Sequence, residues 1–312
     1  MGSAVVALSR RDFLSYPVPP LTPVRKQLVA LLEELDDKIE LNRRMNETLE
    51  AMARAIFKSW FVEFDPVRAK TEGGDPGLPK HIADLFPDRF EDSELGQIPA
   101  GWSIKTINEV AERVGMGPFG SSIKVETFVP EGVPIISGQH LSGYMLKDNK
   151  FNFITIEHAQ RLSNSNVKRG DVIFTHAGNI GQAAYIPQWS RYEHYVISQR
   201  QFFMRCNLSQ VIPSFIALYF NSEEGQYQLL ANTSSSGVPS IARPVTYLRT
   251  IRLVIPPRPI LEVFDKLTRP VFFRFRRSFD ESDTLVVLRG ALLPKLISGE
   301  LRVMNRQPCV GV

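Results

Sequence analysis

The residue types that most often carry chemistry are few in this sequence, and their spacing fits no catalytic or metal centre. The 312 residues include five histidines, none at metal-ligand spacing from a second ligand, and two cysteines, Cys206 and Cys309. Two cysteines are too few for a zinc site or a disulfide scaffold, which fits a reducing compartment. No nucleophile has a recognisable base. We therefore expect a non-catalytic chain that binds no metal or other cofactor.

Three short segments resemble catalytic elements but lack the residues that the chemistry needs. The glycine-rich segment 115–122 is similar to a phosphate-binding loop without the lysine that follows the last glycine, so we interpret it as a turn. The segment 35–38, Leu-Asp-Asp-Lys, has the acid–lysine order of a nuclease element but falls on a helical pattern, where charges face solvent. The segment 255–258, Ile-Pro-Pro-Arg, lacks the aromatic residue and the acid or amide of a base-methyltransferase motif.

Charge is distributed unevenly along a chain whose net charge is +4. Residues 1–94 carry 13 Lys and Arg against 17 Asp and Glu, whereas residues 95–257 carry 14 against 10 and residues 258–312 carry 10 against 6. A mildly basic middle segment permits an anionic partner without requiring one.

No segment has the length of a membrane span or the pattern of a signal peptide, so we expect a cytoplasmic protein with no membrane partner.

Two long helical patterns flank the middle segment and must position it. Apolar residues recur at steps of four and three over 25–62 and again over 260–297, which predicts two long helices with an apolar seam each. We expect Pro270 to kink the second helix or to delay its start. The residues expected to pair the helices are Leu28, Leu32, Leu35, Ile39, Leu49, Ile56, Phe264, Leu267, Val271, Phe275, Leu285 and Leu292.

Asparagine interrupts the first seam at positions 42 and 46, and two interpretations stay open. Either the two amides are buried at the seam, where they cost stability and fix the register, or Met45 and Met52 take over the seam and the amides face water.

Trp60 and Phe61, near the end of the same helix, are expected in the core of a helix junction rather than on a base-stacking surface.

The two ends of the chain follow the same plan. Residues 2–61 and 237–301 each open with a small, arginine-containing stretch, continue through a Pro-Pro pair and a long helical pattern, and close on similar blocks. Both closing blocks begin with Thr-Leu, at 48–49 and at 284–285. A repeat that returns after a whole domain suggests a cyclic architecture in which two long helices pair and hold that domain.

The middle segment, 102–257, is predicted to be mixed α/β, and the stretch before it to be a linker, since three Gly and two Pro fall within 71–79. Short apolar runs separated by glycines predict strands, and the apolar spacing after Pro213 predicts one helix over 214–230. The predicted strands are 133–136, 151–154, 171–175, 183–186 and 201–204.

Several sequence motifs follow one another along nearly the whole chain. The runs 39–50 and 56–67, the second containing Lys-Ser-Trp-Phe, look like the central conserved helix of type I restriction–modification specificity subunits. The remaining similarities are Leu78-Pro79, Leu85–Pro87 and Leu95–Trp102 before a target recognition domain, Arg169–Phe174, Gly178–Gly181 and Pro239–Ile241 inside one, and Leu292–Leu301 in the C-terminal block.

The resemblance implies an α+β fold: one mixed α/β target recognition domain flanked by two long helices that pair as an antiparallel coiled coil. Family members usually have two recognition domains and two helices, so we expect a half-length subunit. The implied divisions are the tail of a missing recognition domain at 1–24, a spacer helix at 25–65, a linker at 66–101, a recognition domain at 102–257, a second spacer helix at 258–301 and a tail at 302–312.

The resemblance also implies that this chain reads double-stranded DNA for enzymes that it does not itself contain. In the family, each recognition domain reads one half of a split target and the helix pair fixes the gap. The conserved helices dock DNA methyltransferase subunits, and a restriction–translocase subunit joins them. We therefore expect S-adenosylmethionine on the methyltransferase partner. We expect the half-length subunit to act as a homodimer, which would read an interrupted palindrome.

Polar residues on loops that follow short strands are the candidates for DNA contact. Arg, Asn and Gln can bond a base edge at two points, while Lys, Ser and Thr hold phosphates. The alternative for each is an ordinary turn or surface residue, and for Arg200 a buried ion pair. The candidates are Ser121, Ser122, Lys124, Gln139, His140, Thr175, His176, Asn179, Ser198, Gln199, Arg200 and Arg243.

Three other interpretations stay open at this point. Within the same family, the chain could be a truncated cassette that works only after recombination or complementation with another half. From other classes, it could be a nuclease with an unrecognised active site, although the middle segment has few acid–lysine clusters. It could also be a helical adaptor whose middle domain binds protein.

Overall fold

The computed structural model describes residues 9–15, 22–120, 122–234, 237–298 and Glu300. The chain forms two units. The helix-pair unit extends to Leu49 and resumes at Phe273, and the sheet unit spans Glu50 to Phe272. Mixed α/β structure together with two long helices confirms the expected fold class. None of the helices among the described residues is both long and apolar enough to cross a bilayer.

Two long helices flank a series of short helices and strands along the chain. The helices are α1 (Arg10–Ser15), α2 (Pro23–Phe61), α3 (Asp65–Thr71), α4 (Lys80–Ala83), α5 (Ile107–Val110), α6 (Ile156–Arg161), α7 (Pro213–Phe220), α8 (Glu223–Leu230), α9 (Pro244–Thr250) and α10 (Arg258–Ser298). The strands are β1 (Phe90–Ser93), β2 (Gly96–Pro99), β3 (Ser103–Thr106), β4 (Ala111–Met116), β5 (Val133–Ile136), β6 (Asn152–Ile154), β7 (Asn166–Lys168), β8 (Asp171–Thr175), β9 (Ala183–Tyr185), β10 (His194–Ile197), β11 (Gln201–Cys206), β12 (Thr233–Ser234), β13 (Ser240–Ile241) and β14 (Arg252–Ile255).

The helix-pair unit is built by α2 and α10, which run antiparallel. Asp36 forms an ion pair with Arg289, and Met45 contacts Arg274, so the partner's number falls as the α2 number rises. The expected pairing residues in this unit are all half-buried, as in a two-helix seam with water on both sides. The predicted antiparallel pairing is confirmed. The segment that resembled a nuclease element lies here, with its Asp36 engaged by the arginine of the facing helix.

Asn42 is buried within this helix pair and is only 1% exposed. Its Nδ2 donates to Glu281 Oε2 at 2.9 Å, and Ser278 Oγ donates to its backbone carbonyl at 3.3 Å. Among the described residues, the buried Oδ1 atoms of Asn42 and Asn46 have no hydrogen-bond partner. Met52 is 49% exposed. The structure therefore favours the interpretation in which asparagine occupies the seam.

The start of α2 follows from its local sequence. Thr22 Oγ1 accepts a hydrogen bond from the backbone N–H of Arg25, and Pro23 begins α2, where a missing N–H costs nothing.

The start of α10 differs from one of the two expectations for Pro270. Pro270 does not delay the start of α10, which begins at Arg258. Phe264 and Phe272 are both buried on either side of Pro270, and this packing offsets the intrinsic cost of an interior proline.

Two four-stranded sheets form the framework of the sheet unit. Their strand orders are β6-β5-β10-β7 and β4-β11-β8-β9, and β5 and β10 are parallel neighbours. Every residue of β8 is buried, and its Phe174 stacks on Phe202 of β11 at 5.0 Å between ring centroids. All five predicted strands are present, the first and third with the predicted bounds.

Residues 66–101 differ from the predicted linker. They contain most of α3, all of α4 and the β1–β2 hairpin, and they pack within the sheet unit. The ammonium of Lys70 donates to the carbonyls of Ala83 and Phe86, and Thr71 Oγ1 donates to the carbonyl of Asp88. The glycines and prolines that suggest a linker mark turns between these short elements.

The helix predicted over 214–230 is interrupted and forms α7 and α8. Ser222 caps the start of α8 by accepting a hydrogen bond from the backbone N–H of Gly225 at 3.2 Å. A side chain at Gly225 would lie 1.9 Å from the carbonyl oxygen of Tyr219. The break therefore needs both the serine cap and a glycine at this close approach, and neither interrupts the apolar periodicity of the segment.

An aromatic cluster in the sheet unit contains the C-terminal turn of α2. Phe61 packs at 5.0 Å on Phe264 of α10 and at 5.1 Å on Phe215 of α7, and Trp60 packs at 5.1 Å on Phe86. Both Trp60 and Phe61 are buried, which confirms their expected place in a helix-junction core. Of the expected pairing residues, Leu267 departs from the seam and is 41% exposed.

Candidate nucleic-acid interface

Three loops of the sheet unit meet at one edge because of the strand directions around it. β5 and β10 are parallel neighbours, so the loops after Ile136 and Ile197 leave the sheet on the same side. β11 runs antiparallel to β8, and Gln201 at its start lies opposite Thr175 at the end of β8. The loop after Thr175 is thereby brought to the same edge.

These loops line an open, polar depression of about 590 Å³, which we call the loop cleft. It brings together five of the predicted DNA-contact residues, namely Gln139, Thr175, Asn179, Ser198 and Arg200. Serine, glutamine, glycine and alanine residues complete the lining, and none of the described lining residues is Asp, Glu, His, Cys or Lys. The cleft therefore suits recognition by hydrogen bonds and offers no acid–base pair.

Hydrogen bonds fix the floor of the loop cleft. Thr175 Oγ1 donates to Gln182 Oε1 at 3.0 Å, and Gln182 Nε2 donates to the carbonyl of Gly138 at 3.1 Å. Ser198 Oγ donates to Gln201 Oε1. Thr175 and Gln201 are buried. The Gln182–Gly138 bond joins two of the loops, and the backbone N–H of His176 donates to the carbonyl of Arg200 at 2.9 Å, which joins the third. The floor is therefore held in one arrangement by bonds within the protein.

The side chains on the rim are available for a ligand. Gln139, Asn179 and Arg200 are exposed. Arg200 forms no salt bridge with a described carboxylate, so the alternative of a buried ion pair does not apply. Its guanidinium lies beside Gly178, where an added Cβ would be 3.3 Å from Nη1 and where φ is +83°. A glycine at this position allows both the left-handed backbone and the approach of the arginine.

The two candidate histidines are absent from the cleft lining and support the loops, His140 as a buried and His176 as a half-buried side chain. His140 is 2% exposed, stacks on Phe151 at 4.4 Å, and its Nδ1 accepts the backbone N–H of Ser137 at 3.0 Å. His176 Nε2 lies 3.1 Å from the carbonyl oxygen of Gln199. Burial lowers the pKa of both rings below the usual value of 6.5, so both are neutral at pH 7.

The remaining candidates lie outside the cleft lining. Ser121 is outside the described residues. Ser122 and Gln199 donate hydrogen bonds to backbone carbonyls of the glycine-rich loop. Lys124 and Arg243 are exposed, and Arg243 has φ 46° at the start of α9.

Sequence reasoning missed two glutamines that build the floor. Gln201 directly follows the predicted Ser198–Arg200 cluster, so extending that cluster by one residue would have found it. Gln182 had no such signal, because its role depends on the distant Gly138 carbonyl. Among the described residues, no group of three or more His, Cys, Asp or Glu is arranged to hold a metal ion.

Three proteins that this chain is similar to carry names of the same kind. The type I restriction enzyme HindI specificity subunit of Haemophilus influenzae is 23% identical over 329 residues, covering 90% of this chain and 68% of that protein. The MjaIX specificity subunit of Methanocaldococcus jannaschii is 24% identical over 316 residues, covering 97% and 64%. The solved type I S subunit from M. genitalium has a TM-score of 0.48 at 13% identity over 90% and 60% of the two chains, a likeness too distant to carry an argument. No family model matches.

Both curated relatives are named as specificity subunits, and neither is named as a methyltransferase or a nuclease. This chain is similar to type I restriction enzyme specificity subunits, which confirms the resemblance carried by its motifs. It spans about two thirds of the length of these curated relatives, 68% of one and 64% of the other.

Proposed function

We propose that this chain is the DNA-recognition subunit of a type I restriction–modification system and that the loop cleft reads the bases. The observation that carries the proposal is the cleft itself. Amide, hydroxyl and guanidinium groups from three loops converge in it, and no carboxylate of the described part of the chain lines it to repel DNA. Its place in the mildly basic segment 95–257 supports an anionic partner.

Three exposed side chains would make the base contacts. Arg200 can bond the O6 and N7 atoms of guanine together, and Asn179 and Gln139 can each bond the N6 and N7 atoms of adenine. Each such pair discriminates against the wrong base by about 1 to 3 kcal/mol. The hydrogen-bonded floor would hold the loops in position, so that little ordering entropy is lost on binding.

The paired helices would supply the spacing and docking functions of the subunit. In this proposal, α2 and α10 set the gap between two DNA half-sites and dock methyltransferase subunits, to which a restriction–translocase subunit is added. S-adenosylmethionine is bound by the methyltransferase partner. Two copies of the chain would form a homodimer that reads an interrupted palindrome, because a two-fold axis repeats the same half-site in inverted order.

Methylation mapping in cells tests the proposal directly. The chain is expressed with its cognate methyltransferase, and the methylated positions of the host DNA are sequenced. We expect one interrupted motif whose two halves are inverted repeats, and light scattering of the purified complex should give two copies of this chain. A motif with two unrelated halves, or one copy per complex, would contradict the homodimer.

Other outcomes would select the remaining interpretations. Methylation that appears only after coexpression with another half-subunit would identify a truncated cassette. Specific cleavage of plasmid DNA by the pure chain with Mg²⁺ would identify a nuclease. Absence of any DNA binding would leave a protein-binding adaptor and overturn the proposed function.

A further inference from the structure

A second surface of the sheet unit carries three arginines and no acid among its described lining residues. Arg113 of β4, Arg161 at the end of α6 and Arg249 of α9 line a depression of about 630 Å³, which we call the arginine groove. The other lining residues are apolar, glycine, serine or asparagine. Three positive charges from three separate elements are therefore directed to one concave surface.

The arginines of the groove differ from those arginines of the sheet unit that have carboxylate partners, such as Arg205 with Asp171 and Arg252 with Glu94. Among the described residues, no carboxylate forms a salt bridge with any of the three groove arginines. The nearest acid on the same helix as Arg161, Glu157, has a pKa lowered first by hydrogen bonds at the start of α6 and only last by that arginine.

Weak contacts hold two of the three side chains in the groove. The guanidinium of Arg113 lies over the Phe203 ring at 5.6 Å from the centroid, and its Nη2 is 3.4 Å from the carbonyl oxygen of Asn164. Arg249 Nη2 is 3.5 Å from the carbonyl oxygen of Val114. These contacts orient the guanidinium groups but leave most of their donors for a ligand, since each guanidinium has five N–H groups.

The arginine groove adjoins the loop cleft. Gly117, in the groove, donates its backbone N–H to the carbonyl of Gln201, in the cleft, at 2.8 Å. A side chain at Gly117 would lie 2.0 Å from the carbonyl oxygen of Ser198, so only glycine allows this approach. The linings of the cleft and the groove are therefore in direct contact.

We propose that the arginine groove binds the sugar–phosphate backbone of duplex DNA next to the bases that occupy the loop cleft. This inference rests on the proposed DNA-recognition function and adds to it a site that senses charge and not sequence. Guanidinium groups suit phosphate because their paired N–H donors match its oxygens. Neutralising phosphates releases condensed counterions, so the groove should contribute to the salt dependence of binding.

The test compares salt slopes of the full-length chain and of the triple variant R113Q/R161Q/R249Q on a short duplex of random sequence. Binding constants are measured between about 50 and 200 mM salt. Each lost phosphate contact makes the slope of log K against log salt shallower by about 0.9, so the triple variant should be shallower by about 2.7. The loss should be equal on duplexes of different sequence.

Two control variants separate local binding from net charge. R89Q/K168Q/R191Q removes the same total charge from exposed positions outside both the cleft and the groove, and it should keep the wild-type slope. R161K retains the positive charge at one groove position, so it should also retain the wild-type salt slope. If circular dichroism shows that the triple variant is misfolded, the single variant R161Q replaces it, with an expected change of about 0.9.

The outcomes distinguish the groove from the function on which it rests. If the wild-type chain binds duplex DNA and the groove variant has the same salt slope, the groove does not bind phosphates. The proposed DNA-recognition function is then unaffected. An unchanged slope together with lost methyltransferase association would make the groove a protein-docking surface, which also overturns the inference. A wild-type chain that binds no duplex DNA overturns both.

Discussion

The helix-pair unit and the sheet unit each bury a polar group, but they satisfy it differently. In the sheet unit, Asp171 accepts two hydrogen bonds from the Arg205 guanidinium at 2.8 Å and one from the Lys168 N–H at 2.9 Å. In the helix-pair unit, Asn42 donates to the half-exposed Glu281, and its Oδ1 has no partner among the described residues.

The difference indicates two uses of buried polarity. The ion pair joins β8 and β11 at the ends opposite Thr175 and Gln201, so it fixes the register that places the floor of the loop cleft. The asparagine contributes little stability, since one of its polar atoms is unsatisfied, but it discriminates against other alignments of the helices. The sheet unit thus gains rigidity from its polar pair, and the helix pair gains pairing specificity.

The largest expected effect comes from removing Arg205. Arg205→Leu leaves the Asp171 carboxylate, 1% exposed, without its charge partner. An uncompensated buried charge destabilises by about 3 to 5 kcal/mol, which urea unfolding would measure for the full chain. The double variant Asp171→Asn/Arg205→Leu is the control and should recover much of the loss, because asparagine retains an acceptor for the Lys168 N–H. A loss below about 1 kcal/mol in the single variant would show that the pair has no structural role.

Replacing Asn42 in the helix pair should stabilise the protein, whereas replacing Arg205 should destabilise it. Asn42→Leu replaces a partly unsatisfied buried group with an apolar one and should raise the free energy of unfolding by about 1 kcal/mol or more. It should also relax the pairing. Chains with one cysteine on α2 and one opposite it on α10 should crosslink less selectively in the antiparallel register. Unchanged selectivity would contradict the specificity role of Asn42.

A smaller effect is expected at the floor of the loop cleft. Thr175→Val keeps the shape of the side chain but removes the hydrogen bond to Gln182, which costs about 1 kcal/mol. Because Gln182 also holds the Gly138 carbonyl, the affinity for target DNA should fall more than the affinity for random DNA. Thr250→Val, an exposed threonine on α9, is the matched control and should change neither affinity. Equal losses on target and random DNA would contradict a floor that positions base-reading loops.

The smallest effect concerns the pH dependence of the helix pair. The hydrogen bond from Asn42, followed by the charge of Lys38, lowers the pKa of Glu281 below its ordinary value of 4.5. A lowered folded pKa means that the interaction stabilises the pair above about pH 4.5 and is lost as the pH falls through the folded value. Crosslinking selectivity in the helix pair should therefore fall under acid. In the variant Glu281→Gln, crosslinking selectivity should no longer fall under acid. If it falls as in the wild type, the acid response belongs to other titratable groups.

The sequence predicts the helix-pair unit more fully than it predicts the sheet unit. The seam residues recur every three or four positions, so a local pattern gives the bounds of α2 and α10 to within about two residues. The loop cleft depends on which strands become neighbours. Thr175 and His176 are both polar in sequence, and only the pairing of β8 with β11 places the first in the floor and leaves the second outside the cleft lining. The arginine groove draws on three elements far apart in the chain, so no local pattern predicts it.

Selection from a library of random duplexes tests the central claim that the loop cleft reads DNA. The full-length wild-type chain, with its cognate methyltransferase, and the variants Asn179→Ala and Arg200→Ala are each used to enrich bound sequences. Lys168→Ala, exposed and outside the cleft, is the control. We expect one short motif for wild type and for the control, and in each cleft variant a loss of preference at one position worth about 1 to 3 kcal/mol. Enrichment of the same motif with the same weights by both cleft variants would contradict the account.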